Sequence, residues 1–278
     1  MQIRTIASID DPQLLPYRTM KMQADHHRQR IFVAEGEKVV RRLLESDLEV
    51  VSICLPEKWV GELRPLIEGR AEDVIVYVAE KEELERLTGF SMYQGVLAVG
   101  KVPPARTLDW VWEHCRRPYF FAATDGINNS ENLGVLVRNA AAFGVQALLV
   151  GETCSSPFMR RAVRSSMGTI FGLPVVECGR LVDSLGELRR KNIQCLAAHP
   201  HSDRQTLYDV EVANDCCVVL GSEGFGISPA VLAACDQTVA IPMAHEIDSL
   251  NVGSAAAIFF FEANRQRLSG SRAQNQEA

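Results

Sequence analysis

No stretch of this sequence approaches the roughly 20 consecutive apolar residues that span a bilayer. Its longest greasy run, residues 255–261, is short and sits inside a helical pattern, so no membrane role is expected. Cys-x-x-Cys pairs are missing among the 8 cysteines, and none has a histidine at metal-ligand spacing. No metal is therefore expected, and the thiols read as small hydrophobes in apolar segments. An excess of positive charge is also lacking. The formal net charge of −6 excludes a non-specific nucleic-acid coat protein, whose affinity rests on overall positive charge. It leaves room for a local basic patch, because fields are screened beyond about 8–10 Å. The N-terminus has acidic residues and no apolar core, so a secretory signal is not expected and the reading is cytoplasmic. Internal repeats and long low-complexity segments do not occur.

What is present is an ordinary globular balance, with 47% hydrophobic and 23% charged residues over 278 positions. The segment 101–118 has prolines near both ends, and within it residues 102–116 read as a linker with one helical turn that divides the chain into 1–101 and 117–278. The first half alternates strand patterns at 31–33, 50–55, 74–78 and 95–99 with helical patterns at 37–45, 59–68 and 81–87. The second half repeats that logic with strands at 119–123, 147–150, 174–176, 194–198, 217–220 and 238–241. Its helices are expected from 132 or 133 to 143, around 159–164, at 181–191 and at 252–266, with a frayed polar tail from Ser269. Such alternation implies α/β architecture, a parallel or mixed sheet covered on both faces.

Three stretches stand out, each following an apolar strand. DGINNSENLGVLVRNAAAFG, residues 125–144, places Asn132, Gly134 and Arg138 at a helix start, where ligands gather in open α/β sheets. An arginine there also suits a structural ion pair. LGSEGFGI, residues 220–227, spaces its glycines as GxxGxG, which is neither a dinucleotide fingerprint nor a phosphate loop. Its acid, Glu223, opposes phosphates and suits a positively charged ligand. IPMAHEIDSLNV, from residue 241, ends a strand and enters a helix through Ser249, Leu250 and Asn251, either polar residue being an ordinary cap by itself. Together the three would converge at one edge of one sheet.

The joint pattern NLGVLVR, GSEGFGIS and IPMAHEIDSLNV resembles the three motifs of the SpoU branch of the SPOUT RNA methyltransferases, over roughly residues 117–266. More loosely, FVAEGEKVVRRLLES and YQGVLAV resemble the small ribosomal-protein-like α/β RNA-binding domain that often precedes it. The resemblance implies a catalytic domain with a deep trefoil knot, against the usual rule that chains do not thread. It implies a homodimer with the active site near the interface, and an RNA substrate, tRNA or rRNA, methylated on a ribose 2′-hydroxyl. S-adenosylmethionine would be held by backbone at Gly221, Ile241 and Leu250, with Met243 close by. Two departures from the pattern stand near that loop: His245 where glycine is usual, and Gly253 where serine is common.

By the same resemblance Arg138 is the central catalytic residue. A guanidinium with a pKa above about 12 gives up its proton reluctantly, so the expected role is a charged one, gripping a phosphate and stabilising the developing alkoxide. Asn132 and Asn251 would orient the hydroxyl and Arg138, Ser249 would support them, and Glu223 would hold the loop and Arg138. RNA would be gripped by Arg28 and Arg30 of the first half and by Arg160, Arg161 and Arg164 of the second. The alternative, a non-catalytic RNA-binding or assembly protein on the same fold, predicts erosion of the polar residues, all of which are present.

Overall fold

The computed structural model describes residues 1–6, 8–200, 205–244 and 248–276. The chain forms two compact units: Met1–Pro104 with Pro157–Gly172, and Ala105–Ser156 with Leu173–Ala278.

In the first unit the strands are β1 (Gln2–Thr5), β2 (Ile31–Glu35), β3 (Val50–Leu55), β4 (Ile75–Val78) and β5 (Leu97–Lys101). They form one mixed sheet in the order β1-β4-β3-β5-β2. β1 and β3 run parallel to β4, while β5 is antiparallel to β3 and β2. The helices are α1 (Leu15–Arg18), α2 (Gln23–Arg28), α3 (Glu37–Glu45), α4 (Val60–Glu68) and α5 (Lys81–Thr88). α3 forms because Val39, Val40, Leu43 and Leu44 make one buried stripe on an otherwise charged helix.

The second unit opens with α6 (Leu108–His114). Its strands are β6 (Phe120–Asp125), β7 (Ala147–Val150), β8 (Val175–Glu177), β9 (Gln194–Ala198), β10 (Cys216–Gly221) and β11 (Gln237–Val239). All six are parallel, in the order β11-β9-β10-β6-β7-β8. Every residue of β6 is buried, as expected for a parallel strand covered on both faces. Between strands lie α7 (Ser130–Ala142), α9 (Leu181–Arg190) and α10 (Pro229–Ala234), and α11 (Val252–Gln276) ends the chain. α7 begins at Ser130, two residues before the sequence pattern placed it, because the Asn129 side chain accepts the Glu131 and Asn132 amide hydrogens as its cap. Gly144, at φ +81°, takes the left-handed conformation expected after the helix.

α11 packs along α7 and β10. Phe259 and Phe260 are buried in it, and Phe260 meets Phe120 edge-on with centroids 5.9 Å apart. Two turns further on, Arg267 donates to the Pro118 and Tyr119 carbonyls, 2.9 Å each. The helix runs on to Gln276, where the polar composition after Ser269 suggested fraying.

Two other expectations differ from the structure. The linker holds a full helix, α6, capped by the Thr107 hydroxyl and burying Leu108 and Val111. The basic helix α8 (Arg160–Ser165) belongs to the first unit. It packs on β2, where Phe32 meets Phe158 and Phe171 at 5.6 and 5.3 Å. Among the described residues no helix is long and apolar enough to cross a membrane.

Candidate active site

The second unit gathers its polar loops at one sheet edge, since β6 and β10 are parallel neighbours and β11 lies beyond β9. Asp125 ends β6, and its buried carboxylate accepts the Ser228 amide hydrogen at 2.7 Å. That bond ties the first conspicuous stretch to the far end of the second. Between β10 and α10 the chain turns tightly, with Ser222 and Gly226 exchanging both backbone hydrogen bonds at 2.9 Å. Gly226 supplies the required positive φ of +67°. Gly221 must lack a side chain, because a Cβ would fall 2.2 Å from the Gly226 carbonyl carbon.

At this turn three separated residues meet. Glu223 Oε1 accepts from Asn132 Nδ2 at 2.5 Å and from Asn251 Nδ2 at 2.6 Å. Asn251 Nδ2 also lies 3.2 Å from Asn132 Oδ1. Asn251 Oδ1 accepts the Gly253 amide hydrogen at 2.9 Å, capping α11. The helix cap and the bond to Glu223 are therefore made by different atoms of one side chain. Hydrogen bonds to an ionised acceptor are about twice as strong as neutral ones, so Glu223 clamps both asparagines. It does not hold Arg138. That guanidinium is exposed on α7 and, among the described residues, has no hydrogen-bond or ion-pair partner.

Beside this cluster opens a cavity of about 370 Å³, within the usual range of small-molecule sites. Gly221, Ile241, Met243, Ser249 and Leu250 all line it, so the residues expected around a cofactor share one space. Its walls include apolar Val239 and Phe259 and the acids Glu223 and Asp248, and no lysine or arginine among the described residues. That donor set suits an adenosyl group carrying a positive sulfonium and disfavours a polyphosphate. Among the described residues no group of three or more His, Cys, Asp or Glu is placed to hold a metal ion.

Residues 119–261 match the family model of the SpoU rRNA methylases. A 23S rRNA (guanosine-2′-O-)-methyltransferase RlmB of Pectobacterium atrosepticum is 30% identical, over 84% of this chain and 97% of the relative. An uncharacterized tRNA/rRNA methyltransferase of Mycobacterium bovis is 31% identical, over 95% of this chain and 93% of the relative. The chain belongs to the SpoU rRNA methylase family. The AdoMet-bound rRNA methyltransferase from Sinorhizobium meliloti shares its fold, with a TM-score of 0.82 at 22% identity over 95% of this chain and 98% of that one.

In this SpoU methylase the Gly253 departure has a local cause. A Cβ there would lie 2.6 Å from Val135 Cγ1, and Asn139 Nδ2 donates to the Gly253 carbonyl at 2.8 Å. The first turn of α11 thus presses on α7 too closely for serine. His245 lies outside the described residues.

The five arginines singled out for RNA all fall in the first unit. Arg161 is exposed, and Arg164 and Arg28 have side chains 62% and 77% exposed, paired with Glu35 and Asp25. Arg30 donates to the Pro103 carbonyl at 2.6 Å. Arg160 departs from the expectation. Its side chain is 14% exposed, bonded to Glu35 and set over the Phe90 ring at 5.3 Å, so it holds α8 on the sheet. Asp125 and Asn139, through the bonds described above, and Phe225, which lines the cavity, belong to the site's framework without having been singled out by sequence. Only Asp125, at the end of an apolar strand and before glycine, left a signal.

Proposed function

We propose that this SpoU methylase transfers the methyl group of S-adenosylmethionine to a ribose 2′-hydroxyl in structured transfer or ribosomal RNA. The observation that carries the reading is the Asn132–Glu223–Asn251 cluster at the rim of a cavity lined by Gly221, Ile241, Met243 and Leu250. The same polar network disfavours a non-catalytic assembly protein, which has no use for it.

Bound S-adenosylmethionine supplies an electrophilic methyl on a sulfonium. In-line attack needs the acceptor oxygen fixed opposite the sulfur, and positioning of that kind supplies much of the acceleration. Asn132 and Asn251 present amide groups to the hydroxyl, and Glu223 fixes both while Ser249 supports the loop. Forming the O–C bond would break the methyl–sulfur bond, its electron pair returning to sulfur to leave S-adenosylhomocysteine and the hydroxyl proton passing to water, while Arg138 would stay charged, stabilise the oxygen and grip the neighbouring phosphate. It has the freedom to do so, being exposed and without a partner among the described residues. The exposed arginines of the first unit, Arg28, Arg161 and Arg164, add phosphate contacts. The exposed ion pairs of Arg28 and Arg164 are worth little and exchange readily for phosphate.

The remaining expectations of the family belong to the same proposal: a trefoil knot, a ribosomal-protein-like first unit, and a homodimer. Support for the dimer is the exposed apolar strip of α11 and α7, with Phe261 54%, Leu268 56%, Ile258 38% and Val135 37% exposed. Radiolabelled methyl transfer to total RNA from a strain lacking this gene tests the reaction. Label at a position that resists alkaline cleavage is expected, because a methylated ribose cannot assist that cleavage. Label that leaves every position cleavable would indicate base methylation instead.

A further inference from the structure

Phe225 is 98% exposed, the most exposed large hydrophobic residue among the described residues. Its neighbours are Ser222, Glu223, Gly224 and Gly226, none of them apolar in side chain. The backbone beneath it is fixed: Ser222 and Gly226 pair in both directions, and the Phe225 amide donates to Ser222 Oγ at 3.1 Å. A rigid hydrogen-bonded tip therefore holds one aromatic ring out into water, two residues from the carboxylate that clamps Asn132 and Asn251.

We infer that Phe225 is the surface on which the base of the acceptor nucleotide stacks, an assignment resting on the ribose-methylation reading above. The base is attached to C1′ and the hydroxyl to C2′, so a ribose held by the asparagines brings its base beside the same turn. The base must leave its helical stack to reach such a site, and aromatic rings are the usual partners of splayed RNA bases. Two other occupants fit less well. Phe225 is among the residues at the cavity's edge, but a ring serving the cofactor would be walled in by that cavity, whereas this one is 98% exposed and keeps its faces open to solvent. A ring serving self-association would belong to a broad apolar patch, as the α11 strip does, whereas this one stands among glycine and polar residues.

The experiment uses the full-length enzyme with total RNA from a strain lacking the gene, and compares Phe225→Ala, Phe225→Leu, Phe225→Tyr and Phe225→Trp. Phe225→Ala is expected to raise the KM for RNA about tenfold or more, with kcat changed much less and the Kd for S-adenosylmethionine by calorimetry unchanged. Tyrosine and tryptophan restore the KM because they keep a π face, and leucine does not. Leucine equal to wild type would overturn the assignment. So would a parallel loss of cofactor affinity, which would hand the ring to the cofactor, or a change in sedimentation of Phe225→Ala, which would hand it to a second copy. A wild-type enzyme that labels no RNA removes the ribose reading and this assignment together, whereas an active wild type with an indifferent Phe225 removes this assignment alone.

Discussion

Glu223 concentrates the site's order in one oxygen atom, which accepts from two asparagines that are 119 positions apart. Glu223→Ala frees both amides, and kcat is expected to fall about 100-fold, the loss associated with small misplacements of reacting groups. Cofactor affinity should change little, and Glu223→Gln, which keeps an acceptor oxygen, should retain much of the rate. Single-turnover methyl transfer and calorimetry measure the two effects. A second residue makes stability depend on pH. Burial holds the His26 pKa below its ordinary value, so the folded state resists its protonation. Below about pH 6.5 the unfolded chain takes up a proton that the native one refuses, and stability falls with falling pH. Thermal unfolding of wild type should therefore decline more steeply than that of His26→Gln between about pH 6.5 and 5. The carboxylates with lowered pKa, Glu72 and Glu262 among them, act only at lower pH. At the cysteines burial works in the opposite direction, pushing the Cys178 and Cys235 thiols up to about 11 and about 12. Both are protonated at neutral pH, as small hydrophobes should be.

At the scale of elements, the seam between α7 and α11 is the sensitive one. Gly253→Ser, which restores the commoner residue, would drive a side chain into Val135, and overpacking of this kind costs about 1–3 kcal/mol. Gly253→Ser is expected to lower the Tm and the methylation rate, since Asn251 caps the same turn. Val135→Ala should recover part of both; a harmless Gly253→Ser would remove the packing account. Sequence alone could not supply that reason, because the contact joins residues 118 positions apart. What it could supply is periodicity: α3, β3, β7 and β9 have the bounds their patterns indicate. The meeting of Asn132, Glu223 and Asn251 was legible only through the joint motif, as each residue had an ordinary explanation by itself. β1 left no signal, being four residues with no buried side chain. α10 left little, since Pro229–Ala234 is a single short apolar stretch.

At the scale of the molecule, the division of the chain departs most from its linear order. Residues 157–172 sit among elements made from the first hundred. Phe158 and Phe171 meet Phe32, and Arg160 and Arg164 meet Glu35. A chain starting at Ala105 would expose those rings, each worth roughly 1.5–3 kcal/mol when buried. Such a truncation is expected to aggregate in size-exclusion chromatography. Replacing 157–172 by a short Gly/Ser linker in the same truncation should restore solubility and leave cofactor binding measurable by calorimetry. A soluble, well-behaved simple truncation would show that these contacts matter little. The same interleaving sets a timetable for synthesis. A ribosome adding about 5–20 residues per second needs roughly 3 to 14 s to travel from position 105 to 172. For that interval the nascent chain carries its first sheet with the β2 flank uncovered, and a chaperone or a neighbouring polysome chain has its best opportunity to bind there.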